Sequence, residues 1–361
     1  MTTNPDVDAV VLVGGIGTRL RPLTLTTAKP MLPTAGVPFL QHVLSRIRAA
    51  GIHHVILCTA YKAETFTQHF GDGREMGLEI DYAVEDAPLG TGGAIRNVAD
   101  RLRGTTAAVF NGDILSGVDL ASLIGAHRDK QADVTLHLVR VPDPRAFGSV
   151  PTEADGRVSA FLEKSDAPTT DQINAGCYIF RRSVLEAIPT GAVTSVERET
   201  FPGLLAAGAR VYGHLDQSYW LDVGTPAALV RASADLVTGV APTDSLPGPV
   251  GCALILPGSH LADSSIVVGG STIGRGARVG PGATVDGSML FDGVDVGESA
   301  TIVRSVIGRG ARIGPGARIC DAVIGEGADI GARSELIAGI RVSPHVTLPP
   351  TGVRFSADVT A

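Results

Sequence analysis

The chain has 361 residues, a formal net charge of −7, 44% hydrophobic and 19% charged residues. That length exceeds one typical domain, the composition is that of a globular protein, and no run of about 18 apolar residues is present to span a membrane. The acidic balance excludes a general nucleic-acid binder, which needs a clustered excess of Lys and Arg, so any phosphate recognition must be local.

The opening stretch "MTTNPDVDAVVLVGG" has no basic leader or cleavage site, and no signal peptide is expected. An apolar strand runs into "GGIGTR", where Gly14, Gly15 and Gly17 bare the backbone just as the strand ends. A phosphate-binding GxxxxGK[ST] loop is excluded because no Lys follows; a dinucleotide fingerprint fails because Leu20 stands where its third Gly belongs. What remains is a glycine turn with Arg19, Arg21 and, in "TTAKPMLP", Lys29. Loop amides, a guanidinium fork and an ammonium suit a di- or triphosphate.

Further on, "PFLQHVLSRIRAAG" places Phe39, Leu40, Val43, Leu44 and Ile47 at helical spacing, whereas "VILC" is a continuous apolar run typical of a strand covered on both faces. "TGGAIRNVADRL", "AAVFNGD" and "LASLIGAHRDK" continue the alternation. Strand and helix in turn predict a Rossmann-like α/β fold, a doubly wound, mostly parallel sheet with ligands at the strand carboxyl ends. Cys58, Cys177, Cys252 and Cys320 form no CxxC pair and are expected to be buried free thiols of a cytoplasmic protein. The histidines show no metal spacing.

Near "VAPTDSLPGPVG" the composition turns Pro/Gly-rich. Beyond it Ile273, Val279 and Val285 lie six apart, as do Val296 and Ile302, then Ile307, Ile313 and Ile319, then Ile324, Ile330, Leu336, Val342 and Leu348. The five-residue steps from Ile302 to Ile307 and from Ile319 to Ile324 read as register slips. This hexapeptide period predicts a parallel β-helix. The expected organisation is a catalytic domain over residues 1–240, a linker over 241–251 and a repeat domain over 252–361. With no histidine inside the repeat, its nearest being His260 and His345, a structural or oligomerising role is favoured over acyl transfer.

The stretch "GGIGTRLRPLTLTTAKPMLP" closely resembles the N-terminal signature of sugar-1-phosphate nucleotidylyltransferases, and "PLGTGGAIR", "FNGD", "FGSV", "FLEKS", "INAGCYIF" and "YWLDVGTP" follow in the family's order. The repeat resembles the family's left-handed β-helix domain. Thr194, Ser195, Glu197, Glu199, Phe201 and Pro202 are similar to the guanylyl-transferring, mannose 1-phosphate branch. The resemblance implies in-line attack of a sugar 1-phosphate on the α-phosphorus of a nucleoside triphosphate, with GTP and mannose 1-phosphate as substrates. Glucose 1-phosphate with dTTP, UTP or ATP is the alternative, and a non-catalytic regulatory subunit is another.

By that resemblance Arg19 and Lys29 act on the departing pyrophosphate, and Asp113 and Asp222 hold Mg²⁺. Gly14, Gly15, Gly17, Thr18, Glu85, Gly90 and Thr91 contact the nucleotide; Asn111, Gly148, Glu163, Lys164 and Asn174 contact the sugar phosphate. Glu85 stands where thymidylyl-transferring relatives place Gln, and a carboxylate can accept from the N1–H and 2-amino group of guanine. Ser165 replaces the family's usual Pro after Glu-Lys, which leaves the Lys in place on a differently shaped loop. Self-association through the repeat domain is expected.

Overall fold

The structure, a computed structural model, describes residues 4–353 apart from Asp86, Glu163 and Ser165. The chain divides into two compact units. One runs to Gly15 and resumes over Val43–Trp220; the other holds Ile16–His42 and continues from Leu221.

The first unit is built on a seven-stranded sheet. Its strands are β1 (Val7–Leu12), β2 (His54–Thr59), β3 (Glu79–Val84), β4 (Thr106–Asn111), β5 (Val134–Arg140), β6 (Gln172–Arg181) and β7 (Val211–Leu215). They lie in the order β7-β5-β6-β4-β1-β2-β3. All pairings are parallel except those of β6, which runs antiparallel to both β4 and β5. The sheet is thus mixed but mostly parallel, as the alternation implies. Central strands must be apolar throughout because helices cover both faces, and His54–Thr59 is buried at every position. Val10, Ile56, Val109 and Tyr178 from neighbouring strands share one core cluster.

The helices expected from the amphipathic runs form as α1 (Phe39–Ala49), α3 (Gly90–Val98) and α4 (Leu120–Asp129), and the structure adds α2 (Ala63–Phe70) between β2 and β3. All five apolar positions read into the first of these are buried. Asp119 caps α4, its carboxylate accepting from the amides of Ala121 and Ser122. Among the described residues no helix is long and apolar enough to cross a membrane.

From Ala253 onward the second unit is a coil of short strands in three parallel sheets, consistent with a left-handed β-helix. The aliphatic repeat residues point inward and make one continuous core. Leu290, which the periodicity skipped, fills the interval between Val285 and Val296 in that core. The five-residue steps are regular features: strands stack on partners 17 residues away, so one side of each such coil is a residue short. At that short corner a buried serine ladder supplies the missing acceptors. The amides of Ser288, Ser305 and Ala322 donate to the hydroxyls of Ser271, Ser288 and Ser305, each at 3.1 Å.

The glycines of "IGRGAR" have two different causes. At Gly308 a Cβ would come within 2.6 Å of the Glu326 amide of the next coil, whereas Gly310 turns the corner at φ 63°. All four cysteines are free, but only Cys58 and Cys177 are buried; Cys252, just before the first coil strand, is exposed, and Cys320, which follows inward-facing Ile319, is half-buried. Burial pushes the Cys58 thiol up to about 12.

Candidate functional site

In a doubly wound sheet the strand carboxyl ends gather the loops, and several of the site residues read from the sequence fall there. Gly14 and Gly15 follow β1, Glu85 follows β3, and Asp113 follows β4. A Cβ on Gly15 would meet nothing within 4 Å, and its φ is not in the left-handed region. The fold therefore gives no local reason for glycine at this position.

Glu85 is held by its backbone, whose amide donates to the Thr59 carbonyl at 2.9 Å, while its carboxylate accepts from the Leu89 amide at 3.2 Å. Burial raises its pKa, an effect that the Leu89 amide only partly offsets. Five residues after Glu85, α3 begins with Gly90 and Thr91. A Cβ at Gly90, φ 73°, would stand 2.6 Å from the Thr194 carbonyl, and one at Gly93 would stand 2.6 Å from that of Ala192. The glycines of "PLGTGGAIR" thus let α3 press onto the 192–194 backbone, a packing reason that spacing alone does not reveal.

Thr91 joins a polar network. Its hydroxyl donates to Glu197 at 2.9 Å and accepts from the Val196 amide at 2.9 Å. Ser195 donates to the same Glu197 oxygen at 3.0 Å, and the Tyr178 hydroxyl approaches the other at 3.5 Å. Asn174 in turn donates to Tyr178 at 2.8 Å and accepts from the Gly176 amide at 3.0 Å. Burial, reinforced by the Glu197 charge, raises the Tyr178 hydroxyl well above its ordinary value, so it serves as a neutral donor and acceptor. The sequence marked Glu197 only by family likeness. No local signal assigns it a role; its meaning comes from the contact between α3 and the π-helical turn Val196–Thr200.

Asn111 lies beside Gly176, where a Cβ would stand 2.9 Å from its Nδ2. The Gly148 carbonyl accepts from the Asn174 amide at 3.0 Å, and Ser149 and Leu162 exchange two backbone hydrogen bonds of 2.8 and 2.9 Å. Asn111, Gly148 and Asn174 are therefore gathered, and Lys164, two positions after Leu162 in the sequence, is exposed. Glu163 lies outside the described residues. Trp220 is anchored by its indole N–H on the Ala175 carbonyl at 2.9 Å and by edge contact with Phe147.

The second unit holds the rest. Gly17, φ 68°, opens the turn Thr18–Leu20. A Cβ here would press to 2.9 Å on Cβ of Lys29 and 3.1 Å on Cγ2 of Thr24, whose hydroxyl donates to the Gly17 carbonyl at 2.9 Å. Buried Leu20 anchors the turn, leaving Thr18 and Arg19 exposed. The Arg19 guanidinium lies against Gly224: a Cβ there would be 2.8 Å from Arg19 Cζ and 3.0 Å from Asp222 Oδ1. The structure thus brings Gly17 to Lys29, and Arg19 to Asp222. A guanidinium beside a carboxylate, with a lysine on the same loop, can take phosphate oxygens and a cation together.

The chain from 8 to 239 matches the family model described as nucleotidyl transferase, and residues 249–351 match that of the GMPPB C-terminal domain. It is 62% identical over 354 residues to a mannose-1-phosphate guanylyltransferase of Mycobacterium tuberculosis, covering 98% of this chain and 99% of that protein. A probable mannose-1-phosphate guanylyltransferase 3 of Oryza sativa is 33% identical over 79% of this chain and 78% of its own. Among solved structures, HddC from Yersinia pseudotuberculosis complexed with GMP-PN aligns with a TM-score of 0.56 and 29% identity, over 63% of this chain and 99% of that one. On these matches the chain belongs to the nucleotidyl transferase family and is a nucleotidyltransferase.

Proposed function

We propose that the protein transfers the guanylyl group of GTP to mannose 1-phosphate, releasing pyrophosphate and forming GDP-mannose. The observation that carries this is the 62% identity over nearly the full chain to a protein of that activity. An oxygen of the sugar phosphate attacks the α-phosphorus; the bond from that phosphorus to the bridging oxygen breaks, and its electrons leave with pyrophosphate. Such a transfer calls for positioning and charge neutralisation and needs no protein nucleophile.

In this reading Gly14, Gly15, Gly17 and Thr18 present backbone to the triphosphate, and Arg19 and Lys29 neutralise the departing pyrophosphate. The unforced glycine at 15 supports it, since an approaching ligand gives the reason that the fold does not. Glu85, Gly90 and Thr91 face the nucleoside, Glu85 accepting from guanine. Lys164 orients the sugar phosphate, with Asn111, Gly148, Glu163 and Asn174 on the sugar side. Asp113 and Asp222 are half-buried carboxylates, the oxygen donors Mg²⁺ takes, and they fit as its holders; an ion sharing its shell with phosphates needs only one or two protein ligands. Bound there, Mg²⁺ would withdraw charge from the phosphates. We assign residues 1–240 to catalysis, 241–251 to a linker and 252–361 to the repeat domain, with self-association through the coil, in the cytoplasm where GTP is available.

The test is pyrophosphate release across GTP, ATP, UTP and dTTP against mannose 1-phosphate and glucose 1-phosphate. Release confined to GTP with mannose 1-phosphate is expected. Release with another pair overturns the specificity, and none from folded protein overturns catalysis.

A further inference from the structure

The last strands of the coil return to the glycine loop. Arg341, on the strand Arg341–Val342, pairs with Val323 of the preceding turn. Its Nη1 donates to the carbonyl oxygens of Arg19 at 2.8 Å and Arg21 at 2.9 Å, residues 322 and 320 positions earlier. Those carbonyls close the 3₁₀ turn that begins at Gly17, whose end leaves acceptors without partners inside the turn. One guanidinium therefore caps both, a charge-assisted pair of bonds, and the residue so held carries the side chain lying against Gly224.

The same compact unit fastens the following segment to the coil by a second route. The Ala35 amide donates to the Ser233 hydroxyl at 3.0 Å, and that hydroxyl bonds Thr272 of the coil at 3.1 Å. Gly36 packs on Leu256. The Pro33–Pro38 region is thus set by buried contacts, whereas the glycine loop itself reaches the coil through Arg341.

We propose that Arg341 is a positioning residue for nucleotidyl transfer, holding the Arg19 backbone so that its guanidinium meets the triphosphate. This rests on the role proposed for Arg19 above, and it makes the repeat domain part of the nucleotide site as well as a scaffold. Displacement of a positioned group by about 1 Å is enough to cost on the order of 10²-fold in rate, so loss of two exposed bonds at one remove is expected to cost about tenfold.

The experiment compares full-length Arg341→Ala, Arg341→Lys and Arg312→Ala. The last removes an exposed coil ion pair with Asp329 and touches no loop. Initial rates are measured with GTP and mannose 1-phosphate varied separately, alongside trypsin cleavage after Arg19. Arg341→Ala is expected to lower kcat/KM for GTP about tenfold, to leave KM for mannose 1-phosphate within about twofold, and to speed cleavage after Arg19. Arg341→Lys, which retains a cationic donor, should recover part of the loss, and Arg312→Ala should match the unsubstituted protein. GTP kinetics and cleavage unchanged in Arg341→Ala would overturn the proposal, as would equal losses in Arg341→Ala and Arg312→Ala. If the unsubstituted protein makes no GDP-mannose, the function proposed above fails instead, while the trypsin comparison still decides whether Arg341 holds the loop.

Discussion

The guanidinium of Arg19 occupies the space that a side chain on Gly224 would fill, with Cζ 2.8 Å from the position of a Cβ there. Gly224 has no left-handed φ, so alanine fits its backbone, and the atom in the way is the far end of a flexible side chain. Gly224→Ala should therefore fold with a Tm within a few degrees of the unsubstituted protein while pushing Arg19 aside. Turnover should drop at least tenfold, which corresponds to a barrier higher by about 1.4 kcal/mol or more. Thermal melts and pyrophosphate release on one preparation check it; full activity would place Arg19 outside the reaction.

Arg19→Ala should itself depress kcat by about 10²-fold, the scale of losing one preorganised group at developing charge, with little change in KM for mannose 1-phosphate. Steady-state kinetics in both substrates decide it. An equal rise in both KM values with kcat retained would contradict the assignment.

Burial raises the Glu85 carboxyl above its ordinary 4.5, so protonation sets in at a higher pH than for a solvated glutamate. If the carboxylate accepts from guanine, KM for GTP should rise as pH falls toward that raised pKa. Glu85→Gln should raise KM for GTP at neutral pH and flatten the acid limb. Parallel acid limbs in both proteins would assign the ionisation elsewhere.

His54 Nδ1 lies 2.7 Å from Asp8 Oδ1 and its Nε2 lies 3.1 Å from Asp81. The hydrogen bond to Asp8 raises His54 above 6.5. Burial by itself would raise Asp8, but the hydrogen bonds from His54, Gly104 and Arg103 outweigh it and hold the carboxyl below 3.8. A raised histidine contributes stability fully present below 6.5 and lost as pH rises through the folded value; a lowered aspartate contributes stability present above 3.8 and lost in acid. The pair should thus stabilise most between about 4 and 6.5. Denaturant unfolding of His54→Gln should show a deficit that shrinks from pH 6 to pH 9; a deficit constant with pH would refute it.

Ser288→Ala should destabilise the coil by about 1–3 kcal/mol, because the buried Ser305 amide loses its acceptor. Ser264→Ala, whose hydroxyl accepts from Gly282 in an exposed setting, should cost far less. Urea melts followed by far-UV circular dichroism measure both.

Local pattern was enough for much of this molecule. The alternation of apolar runs and amphipathic ones dictates a mostly parallel sheet, and the six-residue aliphatic period dictates a coil, because each inward position of a narrow β-helix must be filled at every turn. Glycines after β1 and acids after strands marked the candidate site by the rule that ligands gather at strand ends. Three things depended on the fold. The five-residue steps became a serine-lined corner, since only stacking shows which amides the short side leaves over. Glu197 joined Thr91, 106 positions away, through α3 packing. Arg341 met Arg19 across 322 residues because the segment Ile16–His42 packs in the same compact unit as the coil, a long-range docking that no local pattern encodes. Periodicity reports which way a side chain faces; which remote group it faces is decided by how the chain closes on itself.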